Sequence, residues 1–493
     1  MFFRRIVSFF TILIIGGSIV MPAQASQTAK QAASPGDCRF GINVGNWGFI
    51  PNESVAKYDL STVGVGYYLD YYYTRNPSVP GNIHYTYMLR VNDTAYPNIL
   101  PILPNLVKNN PGSIWIIGNE PDSINDQDNV TAETYADRFF EFAKVIRAND
   151  PTTAKISFGS ITMMSALRLR YLDYAWARLI FRAGSLSSAS ALVDFWSPHG
   201  FILSEDPNGW GSGIPPAETD AVYNEYLTLA EKITNIDDIY SFDKFTNRLI
   251  AFRKWMNANG ERNKPLWLTE FGNLLPPYNA PGANFVLAPF PITIDFLQKT
   301  FDWMYSTKDA ILGDPNDGNR LTQKWFWYSL NDLVTHFGGT LIDPITGIDT
   351  PVGTAFRNYD PPLDPGAVVP PPDLAPIAMT VTAISQSPTD RSLVNYRATI
   401  RVRNNQINDF LAHGTLSLFE GSNLINNQTI QVARCGGEAV VNIPLNDIMP
   451  FSTHNFLVRV QGADQNTVSE MAFNLPGREF TYPYENYFPM VLK

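Results

Sequence analysis

The sequence has few of the residues that build metal sites and disulfide frameworks. Among its 493 residues there are two cysteines, Cys38 and Cys435, and five histidines. Two cysteines cannot form a disulfide framework, so stability must come from a hydrophobic core. The pair either bridges the start of the first domain to the last one or remains as two buried thiols. The histidines lack ligand spacing, so the sequence predicts no metal site and no cofactor.

Positive charge is also in short supply. The chain has 36 Lys and Arg against 46 Asp and Glu, a net charge of −10, and an isoelectric point near 5.1. Phosphate binding needs clustered basic residues, which the sequence lacks, so we expect no nucleic-acid partner. Aromatic residues make up 13% of the chain. Their flat rings suit the apolar faces of sugars, although most of them must belong to the core.

Long hydrophobic runs are absent except near the amino terminus. Two arginines precede an apolar run over residues 6–21, and Ala23-Gln24-Ala25 has the small-x-small form of a signal peptidase site. We expect a signal peptide over 1–25, secretion or a cell-surface location, and no membrane insertion after cleavage. The alternative is an uncleaved anchor, but the run is shorter than the roughly 20 residues that a spanning helix needs.

Residues 39–358 alternate short apolar runs with longer amphipathic ones, which is typical of strand–helix units around a parallel sheet. The strand candidates lie at 40–44, 62–68, 86–91, 114–117, 155–158, 193–197, 266–269 and 325–330. Eight such units predict an α/β fold, the (β/α)8 TIM barrel. Between the strands, the pattern predicts one helix capped by Thr131 and another that ends before Gly260.

Two long loops follow the sixth and seventh predicted strands. Residues 203–220 and 273–291 are too rich in glycine and proline to form regular elements. The loops at the carboxyl ends of barrel strands carry the active sites of such folds. We therefore interpret both segments as walls of a cleft.

The last part of the chain differs in composition. A proline-rich stretch over 359–374 predicts a semi-rigid linker. Residues 375–478 follow an all-β pattern with Asn/Gly turns, which predicts an immunoglobulin-like sandwich that serves as an accessory domain. Its strand candidates lie at 396–402, 415–419, 429–432, 439–443 and 455–460. The tail over 479–493 is too short to fold alone.

Two glutamates end two of the buried strand candidates. Glu120 and Glu270 each follow a short apolar run and precede residues that break a strand. Strands four and seven of a barrel lie across its mouth from one another, so both carboxylates could face one sugar. Hydrolysis of a glycosidic bond needs one carboxylic acid and a second carboxylate, at about 5.5 Å for retention and roughly 6.5 to 9.5 Å for inversion. The sequence therefore predicts a glycosidase with a carbohydrate substrate.

These residues also carry a resemblance to a known group. Asn119-Glu120-Pro121, Glu270 and a tryptophan on the eighth strand resemble the motifs of the clan A retaining glycoside hydrolases, which include the family 5 cellulases and family 39 xylosidases. The resemblance spans the predicted barrel as a match of motifs in order, not to any one family. It implies that Glu120 is the acid/base, that Glu270 is the nucleophile, and that Asn119 binds the sugar 2-hydroxyl.

The resemblance also implies a sugar platform and a conserved histidine. Trp327 would lie beneath the sugar, with Trp325 as the alternative of the same strand parity. His199 is similar to the histidine of the clan's His-x-Tyr motif, but Phe201 stands where many members have a tyrosine that steadies the nucleophile. Either another group orients the nucleophile or the motif is misassigned. Arg90 is a candidate for the arginine that some families place near strand two.

Two further aromatic residues follow the first two strands. Trp47 and Tyr71 could line the cleft and contact substrate, or they could belong to the core. Overall we expect a secreted, monomeric glycoside hydrolase that cleaves a poly- or oligosaccharide with retention. One alternative is a noncatalytic carbohydrate-binding or cell-surface protein on a hydrolase-like barrel, whose glutamates would not share a cleft. Another is an assembly protein, which would expose an apolar patch over 379–475.

Overall fold

A computed structural model of the protein describes residues 38–45, 55, 57–73, 83–124, 127–207, 211–227, 232–233, 236–275, 288–331, 337–363, 371–390 and 392–477. The predicted signal peptide, Trp47 and the tail over 479–493 lie outside these residues, as do parts of the predicted linker and of both cleft loops. Within the described part of the chain, no helix combines the length and the apolar character needed to cross a membrane.

A parallel barrel forms the first domain. Its strands are β1 (Phe40–Asn43), β2 (Tyr67–Leu69), β3 (His84–Leu89), β4 (Ile114–Ile117), β5 (Lys155–Phe158), β6 (Phe195–Trp196), β7 (Trp267–Gly272) and β8 (Lys324–Tyr328). Neighbours in sequence pair in parallel, and β1 pairs with β8. A single bridge from Trp196 to Leu266 joins β6 to β7 and nearly closes the ring. The predicted TIM barrel is confirmed.

The second strand begins later than the sequence suggested. Thr62, the first residue of the predicted strand over 62–68, ends a 3-10 helix that spans Leu60–Thr62. Gly64 then adopts a φ of 81°, a left-handed conformation that an extended strand does not contain. The strand therefore starts only at Tyr67.

Helices cover the outside of the barrel. They are α1 (Ala95–Ile99), α2 (Leu103–Asn109), α3 (Ala132–Asn149), α4 (Ala166–Ala183), α5 (Leu186–Leu192), α6 (Asp220–Tyr226), α7 (Phe242–Ala258), α8 (Phe290–Ser306) and α9 (Pro351–Asn358). The Thr131 side chain caps α3 by accepting a hydrogen bond from the backbone N–H of Thr134, and Ser241 caps α7 in the same way. Both predicted helices are confirmed.

Side chains of the barrel strands form two separate layers. The inner layer consists of Tyr67, Leu69, Met88, Ile114, Ile116, Phe195, Trp267 and Phe326. Gly41 lies against this layer, where an added Cβ would be 2.6 Å from the Phe326 ring. Trp115, Trp325 and Trp327 belong to the outer layer, which packs under the helices. Since aromatic and aliphatic side chains fill the described interior of the barrel, a ligand is expected at its mouth.

A β-sandwich follows the barrel. Its strands are β9 (Leu374–Gln386), β10 (Val394–Asn404), β11 (Ala412–Glu420), β12 (Asn423–Val432), β13 (Glu438–Ile448), β14 (His454–Gly462) and β15 (Val468–Leu475). They form two antiparallel sheets, β13-β10-β9 and β12-β11-β14-β15. The predicted sandwich is confirmed, but the sequence pattern missed β9 and β15. Both are edge strands in which most side chains are partly or fully exposed, so their apolar alternation is weak.

A disulfide joins the two domains. Cys38, just before β1, is bonded to Cys435 in the sandwich with a Cα–Cα distance of 5.3 Å, so the bridged alternative describes the structure. Beside it, the Arg434 guanidinium lies 4.0 Å from the centre of the Phe40 ring. The same side chain donates hydrogen bonds to the carbonyl oxygens of Phe356 and Tyr359. Burial lowers the pKa of Arg434 to about 10, which still leaves it charged at neutral pH.

Further ion pairs surround this contact, which we call the barrel–sandwich interface. Glu438 accepts hydrogen bonds from Arg401 and Arg403, and Arg401 also reaches Asp59 of the barrel at 2.8 Å. The backbone N–H of Arg39 donates to Asp409 at 2.8 Å. The interface thus combines a covalent bond with charges that have close partners.

Candidate active site

A cavity of about 710 Å³ opens at the carboxyl ends of the barrel strands. Its described lining consists of Gly45, Tyr71, Tyr72, Arg90, Asn92, Asn119, Glu120, Ser123, Gln127, Thr162, Phe201, Leu203, Gly211, Ser212, Glu270, Leu274, Tyr328 and Phe337. Both glutamates therefore share one cavity. Leu203, Gly211 and Leu274 belong to the two predicted cleft loops, whose described parts do form walls.

A strained turn presents Glu120 to the cavity. After β4, Gly118 adopts a φ of 87°, and an added Cβ would lie 2.9 Å from the Tyr135 ring. Glu120 itself has a φ of 46°, which is uncommon for a residue with a side chain. Its backbone N–H donates to the carbonyl oxygen of Ser160 at 3.0 Å. Such a conformation persists only where its surroundings enforce it, and it is typical of functional sites.

The N–H groups of Asn119 have hydrogen-bond partners, whereas its side-chain oxygen has none among the described residues. Its backbone N–H donates to the fully buried carboxylate of Asp128 at 2.8 Å, and its side-chain amide donates to Gln127 at 2.6 Å. Asp128 also accepts a hydrogen bond from Arg90 at 2.5 Å. The side-chain oxygen of Asn119 is buried and has no hydrogen-bond partner among the described residues. That oxygen can accept a bond from a ligand hydroxyl.

A β-bulge turns Glu270 toward the same space. Leu268 of β7 is opposite Trp325 of β8, and Phe271 is opposite Trp327, so β7 has one residue more between these pairs. An extra residue redirects the side chains that follow it. Phe271 returns to the outer layer, while Glu270 lines the cavity and is 5% exposed.

One imidazole lies between the two carboxylates. His199 is fully buried; its Nδ1 is 2.9 Å from Glu120 Oε1, and its Nε2 is 3.4 Å from Glu270 Oε1. One oxygen from each glutamate and one nitrogen of His199 all lie within 4.8 Å of one another. We refer to these three residues as the Glu–His–Glu trio. His199, expected from the sequence to bind substrate, thus lies beside both glutamates but is not part of the described cavity lining.

Charges within the trio shift the pKa values of its members. Burial has the largest effect on Glu270 and raises its pKa to about 7; the charge of His199 opposes this shift, and that of Glu120 adds to it. Burial alone would lower the pKa of His199, but the charges of Glu270 and Glu120 outweigh burial and raise it. Burial and the charges of the trio thus act together on the pKa values of Glu270 and His199.

A buried arginine ties one cavity wall to the turn after Glu120. Arg168 of α4 is fully buried and contacts the Asp122 carboxylate at 3.2 Å and Glu205 at 2.9 Å. It also donates to Ser212 at 3.0 Å and to the carbonyl oxygen of Gly213 at 2.5 Å. The described parts of this wall, at Glu205, Ser212 and Gly213, are thus held by the Arg168 guanidinium. Sequence analysis missed Arg168, which lies in a helix among other arginines and gives no distinguishing signal.

The structure does not bring Trp327 to the cavity. Its ring is fully buried, packs edge-on against Phe271 at 5.2 Å, and donates a hydrogen bond to the carbonyl oxygen of Gly339 at 2.7 Å. Trp325 lies in the same outer layer. The aromatic ring of β8 that lines the cavity is Tyr328, one residue further along. Because strand side chains alternate between faces, both tryptophans point toward the helices.

Other predicted residues do reach the cavity. Tyr71 lines it, as expected, and Phe201 forms an apolar part of the wall, packed edge-on against Tyr328 at 5.9 Å. Arg90 is the only lysine or arginine in the described lining. Its charge contributes to lowering the pKa of Glu270.

The trio could also be considered as a metal site, because its oxygen and nitrogen atoms are close together. However, Nδ1 of His199 already makes a hydrogen bond to Glu120, and Nε2 faces Glu270. A second group, Cys38, Cys435 and Asp409, includes two cysteines that the disulfide removes as ligands. The absence of a metal and of a cofactor remains a prediction.

Comparisons with known proteins add little to this geometry. No protein-family model matches the chain, and no curated protein matches it either. Among solved structures, it is similar to β-glucuronidase 2 of Bacteroides uniformis, with 11% identity, a TM-score of 0.37, and coverage of 90% of this chain and 46% of that one. A glucosidase from Croceicoccus marinus gives 10% identity, a TM-score of 0.38, and coverage of 83% and 93%.

The β-glucuronidase of Parabacteroides merdae gives 10% identity, a TM-score of 0.37, and coverage of 90% and 49%. The chain thus spans about half the length of the two β-glucuronidase chains. Likeness at these identities and TM-scores assigns neither a family nor a substrate. The function must be inferred from the cavity itself.

Proposed function

We propose that the protein is a secreted, monomeric glycoside hydrolase that cleaves a poly- or oligosaccharide with retention of configuration. One observation carries the proposal: Glu120 and Glu270 face one cavity with carboxylate oxygens within 4.8 Å of each other. Retaining enzymes have their two carboxyl groups about 5 to 5.5 Å apart, whereas inverting enzymes need roughly 6.5 to 9.5 Å to admit a water molecule. The observed spacing favours direct attack by one carboxylate.

The roles of the two glutamates follow the resemblance described above. Glu120 protonates the departing oxygen, while Glu270 attacks the anomeric carbon and forms a glycosyl–enzyme intermediate. Glu120 then takes a proton from water, which releases the sugar from Glu270. The open side-chain oxygen of Asn119 accepts a hydrogen bond from the sugar 2-hydroxyl, and Tyr328 supplies an aromatic face for the ring.

The nucleophile is tested with Glu270→Ala. Screening the purified protein on glucans, mannans, xylans, galactans and aryl glycosides first identifies a substrate. We expect turnover to fall on the order of 10⁴- to 10⁶-fold in the variant, because no side chain remains to attack. Added azide should restore part of the activity and yield a glycosyl azide of inverted configuration.

The matched control is Glu133→Ala, which removes an exposed glutamate in the first turn of α3. It should retain full turnover and give no azide product. Unchanged turnover in Glu270→Ala, or azide products from the control, would remove Glu270 from the nucleophile role. The absence of any hydrolysed carbohydrate would instead favour a noncatalytic binding protein.

A further inference from the structure

The turn after β2 is held rigidly by its neighbours. Asp70 is fully buried, and its Oδ1 accepts a hydrogen bond from the Tyr72 backbone N–H at 3.2 Å and from the Tyr85 hydroxyl at 2.6 Å. The carbonyl oxygen of Tyr72 accepts another from the Met88 N–H at 3.2 Å. Residues on both sides of Tyr71 are therefore tied to β3.

Tyr71 itself has a strained backbone. Its φ of 65° lies in the left-handed region, where a bulky residue costs on the order of 1 to 3 kcal/mol. The strain places the ring at the cavity, where it contacts Tyr328 with ring centres 6.4 Å apart. Its hydroxyl is buried and has no hydrogen-bond partner in the described part of the chain. A buried phenol without a partner is costly unless a group beside it uses the donor.

Glu270 is the group beside it. Its Oε1 is also buried without a hydrogen-bond partner among the described residues. The Tyr71 hydroxyl is close enough to contribute to lowering the pKa of the Glu270 carboxyl, after the larger effects of burial, His199 and Glu120. Phe201, which packs against the same Tyr328 ring, has no hydroxyl to offer. One unpartnered donor and one unpartnered acceptor thus belong to residues that line the same cavity.

We propose that Tyr71 is the positioning residue of the nucleophile: its hydroxyl donates a hydrogen bond to ionised Glu270 and holds the carboxylate in line with the anomeric carbon. The inference rests on the proposed hydrolase function. It assigns to a tyrosine after β2 the task that Phe201 cannot perform. The hydroxyl forms no covalent bond and keeps its proton throughout the reaction.

The test is Tyr71→Phe, which removes the hydroxyl but keeps the ring. A hydrogen bond to a charged group is worth enough for kcat to fall roughly ten- to a hundredfold, with KM little changed. The pH at which Glu270 ionises in the kcat/KM profile should also move upward, because a group that lowers its pKa is gone. A residue that only supported the fold would not move this profile.

The matched control is Tyr87→Phe. Tyr87 is a buried tyrosine of β3 in the outer layer, stacked on Trp115 at 4.4 Å and remote from the cavity lining. It should change neither kcat nor the pH profile. In Tyr71→Phe/Phe201→Tyr, a hydroxyl returns to the cavity lining at position 201, and recovery of kcat together with the pH profile would support a positioning role.

Failure of this inference can be told from failure of the proposed function. A 2-deoxy-2-fluoro glycoside should label Glu270 of the unaltered protein, which mass spectrometry of the peptides detects. If Glu270 is labelled and Tyr71→Phe keeps full kcat with an unmoved pH profile, Tyr71 has no positioning role while the hydrolase proposal stands. If a residue other than Glu270 is labelled, the proposed function itself is overturned.

Discussion

Buried polar groups at the cavity and at the barrel–sandwich interface are satisfied to different degrees. At the interface, Glu438 accepts hydrogen bonds from Arg403 and Arg401 on both of its oxygens, although Nε of Arg434 is buried there without a hydrogen-bond partner among the described residues. At the cavity, Glu270 and Asn119 each keep a buried oxygen with no hydrogen-bond partner among the described residues. An unsatisfied buried polar atom costs about 1 to 3 kcal/mol. The ion pairs of the interface therefore contribute stability, whereas the cavity retains open oxygen atoms that a ligand or the Tyr71 hydroxyl can use.

The largest effect should come from Glu120→Gln at the cavity. Removing a general acid lowers kcat/KM by about 10²- to 10⁴-fold, and most for substrates whose leaving groups need protonation. The thermal midpoint should hardly change, since Glu120 is not part of the interface. Activity on phenyl and 2,4-dinitrophenyl glycosides measures the difference, with Glu133→Gln as the control. Equal losses on both substrates would contradict the acid role.

Arg168→Met tests a charge cluster that shares features with both the cavity and the barrel–sandwich interface. The fully buried Arg168 lies beside the cavity, yet its contacts with Asp122 and Glu205 resemble those of the interface. Removing one partner of a buried charge cluster costs about 3 to 5 kcal/mol. We expect a marked fall in the free energy of unfolding, measured in urea, together with a raised KM. An unchanged unfolding free energy would show that the cluster does not stabilise the wall.

Cys38→Ser/Cys435→Ser tests the interface alone. Loss of a native disulfide lowers the free energy of unfolding by about 2 to 5 kcal/mol. Because neither cysteine lines the cavity, kcat should remain that of the unaltered protein. Unfolding in urea and steady-state kinetics on the same samples separate the two quantities. A large loss of kcat in the folded variant would contradict the independence of the two regions.

The smallest effect is a shift of the pH profile. Glu270 must be ionised to attack, and its pKa is raised to about 7, so kcat/KM should rise with pH through that value. The negative charge of Glu120 contributes to raising this pKa. In Glu120→Gln the rise should therefore occur at lower pH, as kcat/KM on the dinitrophenyl substrate would show. A fall through about 7 would instead assign Glu270 as the acid.

Sequence patterns located the barrel and both glutamates because β4 and β7 are short apolar runs that end in a charged residue. The same patterns did not predict the contacts that depend on the register of one strand against its neighbour. The bulge in β7 and the parity of β8, which put Tyr328 at the cavity instead of Trp327, leave no mark in composition. Arg168 was missed for a related reason, since its burial depends on a loop that folds back over α4.

The position of the disulfide limits what the sandwich can do. Cys38 precedes β1, so the bond anchors the second domain at the amino-terminal rim of the barrel strands. Both glutamates emerge at the opposite rim, and the described lining of the cavity ends at Phe337, well before the sandwich. The second domain therefore contacts the barrel at the rim opposite the glutamates, and it contributes no residue to the described lining of the cavity.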